Sequence, residues 1–210
     1  MASKINILYV IFSLEIGGLE VLLLEFLKTL NRDKYNPSVC TLSPGGSLIN
    51  EFEKIDIPVY VIPKRQGIDY LLAFKLRRLI KDKQISIVHT HNSAPWLYCS
   101  FALIGLKGVR LIHTKHSNLA SRKNLLMLGE KIISNLTDRI IADSKDVERF
   151  MISRQNIDAV KIKTIFNGID TEKFSGLKRL RISRKKIPAK NEPGIQRDHI
   201  ILAARVIDIL

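Results

Sequence analysis

Ile5-Asn6-Ile7-Leu8-Tyr9-Val10-Ile11-Phe12, running into Ser13-Leu14-Glu15-Ile16-Gly17-Gly18-Leu19-Glu20, decides the fold. The first run is short, apolar and β-branched, the signature of a buried strand. The second carries two glycines and opens an apolar pattern of helical spacing that continues to residue 30. Strand, glycine turn and amphipathic helix make the first half of a βαβ unit. The same alternation recurs downstream. Strands are predicted at 5–12, 38–42, 58–62, 85–89, 109–113, 138–142 and 162–166, and helices at 18–30, 47–54, 69–82, 95–105, 122–136 and 144–153. The strands read as continuous Val/Ile/Leu runs without in/out alternation, which burial on both faces requires. The predicted fold is therefore α/β, a doubly wound, Rossmann-like, mostly parallel sheet with helices on both faces.

Local punctuation agrees. Pro37 and Pro58 are each expected at a strand entrance, where a missing N–H is tolerated. Pro44-Gly45-Gly46 marks a turn after the second strand, and Ser144 is placed to cap the last helix. Residues 176–197 lose periodicity and contain Gly176, Pro188, Pro193 and Gly194, so they read as a linker. His199 to Ala204 then looks like a new strand. The expected division is a domain over 1–175, a basic linker over 176–197 and the first strand of a further domain over 198–210.

Composition narrows the class. The chain has 210 residues, 46% hydrophobic and 26% charged, an ordinary globular balance. Cys40 and Cys99 stand far apart in apolar segments, so buried reduced thiols and a cytoplasmic setting are expected. The apolar stretch Thr90 to Leu106 is shorter than the roughly 20 residues that span a bilayer, so a core helix is expected there. The net charge of +14 is uneven. Lys178 to Lys190 holds seven basic residues and no acidic one. That run reads as a solvated linker or as an attraction to a polyanion, such as anionic lipid headgroups or a nucleotide diphosphate. Nucleic acid is the weakest partner, because no aromatic residue is interleaved for stacking.

Chemistry-bearing residues gather at strand ends. Gly17 and Gly18 allow close approach of a ligand to the start of a helix, whose free N–H groups favour an anion. The alternative is a turn that simply needs glycine. The loop is not a dinucleotide fingerprint, since G-x-G-x-x-G is missing and no acid follows Cys40-Thr41-Leu42 to hold a ribose. His89 and His91 close the fourth predicted strand, and His113 and His116 the fifth, so both pairs are expected on the rim that carries Gly17-Gly18. No carboxylate or cysteine shares these loops, which disfavours a metal site.

In that order and spacing the motifs resemble the N-terminal domain of a GT-B glycosyltransferase of the family 4-like group. Gly17-Gly18-Leu19-Glu20 matches its G-G-x-E, His89-Thr90-His91-Asn92 its H-x-H-N, and His116 its histidine after the fifth strand. Ala142-Asp143-Ser144 matches A-x-S, and Asn167-Gly168-Ile169-Asp170 with Phe174 matches the N-G-V/I-D-x-x-x-F element before the interdomain linker. The resemblance covers residues 5–175. It implies transfer of a sugar from a nucleotide-diphospho-sugar to a polysaccharide or glycolipid acceptor, without a metal or other cofactor. By the same resemblance Gly17 and Gly18 would approach the donor phosphates, and His116, the catalytic candidate, would contact the donor sugar. His91 and Asn92 would face the acceptor, and Asn167, Gly168 and Asp170 would form the hinge motif.

The departures from the pattern carry their own expectation. The family's second domain binds the nucleotide and carries E-x7-E, which this chain lacks. Only Arg205, after Ala203-Ala204, matches that domain's phosphate-binding arginine. The chain is accordingly expected to be inactive alone and to need the missing C-terminal domain. A non-catalytic binding or regulatory module on the same domain is the alternative, with a polyanion-binding protein behind it. The segment Tyr70 to Lys81 combines an apolar stripe with Lys75, Arg78 and Lys81, which suggests peripheral attachment to an anionic membrane face unless the stripe packs on the sheet.

Overall fold

The computed structural model describes residues 3–116 and 124–166. All the elements below lie in one compact unit of the chain, ending at Ile165. In chain order they are β1 (Ile5–Ile11), α1 (Gly18–Thr29), β2 (Tyr35–Thr41), α2 (Ile49–Glu53), β3 (Val59–Val61), α3 (Tyr70–Asp82), β4 (Ile87–His91), α4 (Ser93–Leu103), β5 (Arg110–Lys115), α5 (Asn124–Ser134), β6 (Arg139–Ala142), α6 (Lys145–Ser153) and β7 (Ile162–Thr164). The seven strands form one sheet in the order β3-β2-β1-β4-β5-β6-β7, and every neighbouring pair is parallel. The expected α/β doubly wound sheet is the observed one.

The two faces have different owners. Leu8, Val10, Val88, Leu111, Ile140 and Ala142 turn toward α3–α6 and share a core with Leu72, Leu76, Trp96, Ile133 and Met151. Tyr9 turns the other way and meets Phe26 of α1 with ring centroids 5.9 Å apart. Right-handed crossovers require this split, because the sheet grows outward from β1 in both directions. The order therefore reverses between β1 and β4, and that is where an open parallel sheet leaves a crevice at the carboxyl ends of its strands.

Two local expectations are corrected. Pro37 lies inside β2, paired with Ile7, not at its entrance. Val39 donates its N–H to Pro58 on the β3 side, and Pro37 faces that same side two residues before β3 pairing begins. No ladder bond is lost there. The fourth and fifth strands also run further than predicted, to His91 and Lys115, because Thr90, His91, Thr114 and Lys115 keep pairing across the sheet. Pro58 does precede β3, and Ser144 caps α6 by accepting from the N–H of Val147 at 3.3 Å. Both cysteines are buried free thiols, and burial pushes Cys40 up to about 12.

The expectations for residues 167–210 lie outside the described residues. These are the hinge motif Asn167, Gly168 and Asp170, the basic run Lys178–Lys190, the linker and strand of the expected domain division, and Arg205.

Candidate active-site rim

Three strand ends build the rim. After β1, the loop Phe12–Gly17 leads into α1 with Gly17 as N-cap and no side-chain cap. The carboxylate of Glu20 folds back against Gly17, in the space a Cβ there would fill. That carboxylate occupies the positive end of α1 and must swing aside before any anion can take its place. The loop is braced from β2–α2. Leu48 donates its N–H to Leu14 O at 3.0 Å, and the Ser47 hydroxyl donates to Glu15 Oε2 at 2.6 Å. Gly46 makes this approach feasible, since a Cβ on it would sit 2.5–2.6 Å from the backbone and Cβ of Leu14.

After β4 stands Asn92, with φ 69° and ψ 156°. That conformation is close to one reserved for glycine and stores on the order of 1–3 kcal/mol of strain. Its side chain accepts the N–H of Phe12 at 3.4 Å, which ties the end of β4 to the end of β1 across the switch point. The next residue, Ser93, begins α4.

After β5 comes His116. Its Nε2 lies 3.0 Å from Nδ1 of His91, the last residue of β4, and its Nδ1 lies 3.7 Å from the Asp143 carboxylate. The two imidazoles stack at 5.3 Å. The carboxylate favours a proton on His116 Nδ1, so Nε2 accepts from His91 and the buried His91 Nε2 is left as a lone pair. An unpaired acceptor is the cheaper orphan.

The four histidines do not share one environment. His89 and His91 sit on the Tyr9 face, with His89 bonded to the Thr114 hydroxyl at 2.7 Å and 5.3 Å from the Tyr9 ring. His113 lies on the opposite face, stacked on Trp96 at 4.0 Å and bonded to Thr90 Oγ1 at 3.1 Å. His89 and His113 were expected on the rim. Both are buried inside their strands instead, each two residues before the strand's last residue, His91 in β4 and Lys115 in β5. Burial, and secondarily the proximity of His116, lowers His89 to about 3. Burial and then the neighbouring histidines hold His91 far below the usual range, and burial and then Lys115 do the same to His113. All three are neutral core imidazoles.

Carboxylates missing from the histidine loops arrive from other elements. Asp143 comes from the end of β6. Glu130 of α5 reaches under the rim, where its Oε2 pairs with Lys115 Nζ at 2.7 Å and its Oε1 accepts from the Ser93 hydroxyl at 2.7 Å. Gln155 Nε2 donates to the same Oε2. No sequence signal singled out Lys115, Glu130 or Asp143 as partners. The topology thus sets Gly17, Gly18, Asn92 and His116 at the carboxyl ends of β1, β4 and β5, with the buried His91 beneath His116.

The profile of Glycosyltransferase Family 4 matches residues 16–173. Among curated relatives, the O-antigen biosynthesis glycosyltransferase WbnH of Escherichia coli is 26% identical over 170 residues, covering 78% of this chain and 49% of the relative. An Escherichia coli UDP-Gal:alpha-D-GlcNAc-diphosphoundecaprenol alpha-1,3-galactosyltransferase is 24% identical over 185 residues, covering 82% of this chain and 47% of that one. The chain thus spans about half the length of the curated relatives it matches. Among solved structures, a glycosyltransferase from Rickettsia africae ESF-5 superposes with a TM-score of 0.68 at 23% identity, over 84% of this chain and 47% of the other. Anabaena HepE in complex with UDP and glucose superposes with a TM-score of 0.64 at 20% identity, over 80% and 46%. The parallel sheet, its switch-point crevice and the profile match agree, and the chain belongs to Glycosyltransferase Family 4.

Proposed function

We propose that this chain is the acceptor-side part of a glycosyltransferase that moves a sugar from a nucleotide-diphospho-sugar to a polysaccharide or glycolipid acceptor. One observation carries the reading: Gly17-Gly18, Asn92 and His116 stand at the carboxyl ends of β1, β4 and β5, on the edge of an all-parallel sheet that holds the β1/β4 switch point. Cleaving a sugar–phosphate bond develops negative charge on the leaving diphosphate. The uncapped start of α1 supplies N–H groups and a positive dipole end once Glu20 has moved. His116 holds a polar edge at the mouth, with a tautomer set by Asp143 and His91. Support for the donor and acceptor classes comes from relatives named for O-antigen and diphosphoundecaprenol-linked sugars and from a neighbour crystallised with UDP. In this reading the nucleotide pocket belongs to a second domain, and the 210 residues alone bind donor weakly. The test is transfer by the polypeptide carrying a second domain, assayed with UDP- and GDP-sugars on polyprenyl-diphosphate-linked acceptors. Product that disappears with His116→Ala supports the reading; no transfer and no sugar-nucleotide binding across the panel removes it.

A second reading concerns the membrane. Helix α3 buries Leu72, Leu76 and Ile80, each burial worth about 1.5–3 kcal/mol, so its stripe does pack on the core. A separate apolar set is left outside: Tyr70 is 76% exposed, Phe74 70% and Ile68 73%. With Phe101 of α4 and Ile104 just beyond it they line an apolar groove of about 760 Å³, and Lys75, Arg78 and Lys81 stand exposed on α3. Apolar contact rimmed by cations suits the cytoplasmic face of an anionic bilayer. Among the described residues no helix is long and apolar enough to cross a membrane. Sedimentation with anionic but not neutral vesicles, reversed by salt and lost in Phe74→Glu, is the expected outcome. Equal binding to both, or to neither, defeats the attachment.

A further inference from the structure

Glu130 joins the two halves of the rim from beneath. Ser93, whose hydroxyl donates to Glu130 Oε1, immediately follows the strained Asn92. Lys115, whose ammonium pairs with Oε2, immediately precedes His116. One carboxylate therefore grips the residue next to each rim side chain, with Gln155 donating to it from the loop after α6. The side chains of Lys115 and Glu130 are 4% and 2% exposed.

Burying such a pair is an expensive way to hold a fold together. Desolvation takes several kcal/mol per ion, and well-packed apolar residues of the same volume commonly serve stability as well or better. What an apolar pair cannot do is fix distance and direction on three elements at once. The rim needs that fixing. Asn92 holds a backbone conformation that persists only where its surroundings over-determine it. Its restraints include the Phe12 N–H on its side chain, the Trp96 N–H on its carbonyl at 3.3 Å and the Ser93–Glu130 bond at the next residue. Along β5, alternation sends Lys115 down to Glu130 and leaves His116 on the opposite face against His91. Anchoring Lys115 thus sets where the His116 ring begins.

We infer that Glu130, with Lys115 and Ser93, is a positioning residue that sets the spacing between Asn92 and His116. The inference rests on the rim being the transferase site, so the test includes a readout that does not involve transfer. Two variants separate positioning from mere stability. Lys115→Met combined with Glu130→Met removes both charges and is expected to melt at or above the wild-type temperature. Ser93→Ala removes one hydroxyl and leaves the ion pair in place.

In the double variant, ¹⁵N spectra of the histidine side chains of this chain are expected to lose the single His91–His116 tautomer pattern. In the two-domain enzyme the same variant is expected to lose at least tenfold in kcat with KM changed less than threefold, since misplacing a reacting group by about 1 Å can cost 10²-fold. Should the double variant fail to fold, Ser93→Ala decides. Amide exchange at residues 92–94 should then rise at least tenfold while the melting temperature moves little. A double variant with wild-type histidine spectra, or a Ser93→Ala protein with unchanged exchange, overturns the assignment whether or not the protein is a transferase. Altered spectra with unchanged transfer would instead indict the site reading.

Discussion

His91 Nδ1 and His116 Nε2 lie 3.0 Å apart, joining the last residue of one central strand to the first residue beyond its neighbour. His91 is buried and His116 half-buried, so the contact couples the crevice mouth to the core. A side chain standing alone on a rim could be removed without harm to folding. This one cannot, because its loss strands a buried N–H on His91. His116→Ala is expected to lower turnover by about 10²–10⁴-fold and to destabilise the domain by about 1–3 kcal/mol. Steady-state kinetics with urea unfolding measures both. Activity within twofold of wild type takes His116 out of the site.

Asn92 is strained, and its side chain has a task. Asn92→Gly relaxes the backbone but frees the Phe12 N–H, so the two effects oppose and stability should change by less than about 1 kcal/mol. Asn92→Ala keeps the strain, loses the acceptor and is expected to cost about 1–3 kcal/mol. Denaturant midpoints of the pair check the order. If Ala proves as stable as Gly, the strain is not there.

Gly46 is required by contact. A methyl group at 46 would collide with Leu14 backbone atoms, which belong to the glycine loop itself. Gly46→Ala should therefore destabilise the domain by about 1–3 kcal/mol and shift amide resonances of residues 13–18. By contrast, Gly45→Ala meets nothing within 4 Å and should be nearly silent. Equal effects at 45 and 46 would contradict the packing.

Three buried imidazoles make stability depend on pH. His89, His91 and His113 are held below their ordinary range, so the unfolded chain binds protons that the folded one refuses. Stability is then full above the unfolded value near 6.5 and declines as pH falls toward about 3, the folded value of His89. The slope reaches about 1.4 kcal/mol per pH unit for each fully neutral histidine. The single tryptophan, Trp96, stacks on His113 and reports unfolding by its fluorescence. A midpoint unchanged between pH 7 and pH 5 rules the account out. His89→Leu should flatten the slope.

The sheet was legible in the chain because burial of a parallel strand on both faces leaves a local mark. Ile7-Leu8-Tyr9-Val10-Ile11 and Ile140-Ile141-Ala142 announce themselves without any partner, and helical spacing in Tyr70–Asp82 does the same. The glycine loop, His91, Asn92 and His116 were equally visible, since strand ends in such a sheet share one edge by topology alone. Three things required the fold itself. Which face each histidine takes depends on where its strand stops, and pairing carried β4 and β5 past the predicted ends. That separated the buried His89 and His113 from the rim. Pro37 was tolerated inside a strand only because β3 starts late. Glu130, Lys115, Ser93 and Gln155 come from four different segments, and no local pattern records that one carboxylate will hold the other three. Periodicity is a property of neighbours along the chain, whereas a buried polar network is a property of neighbours in space.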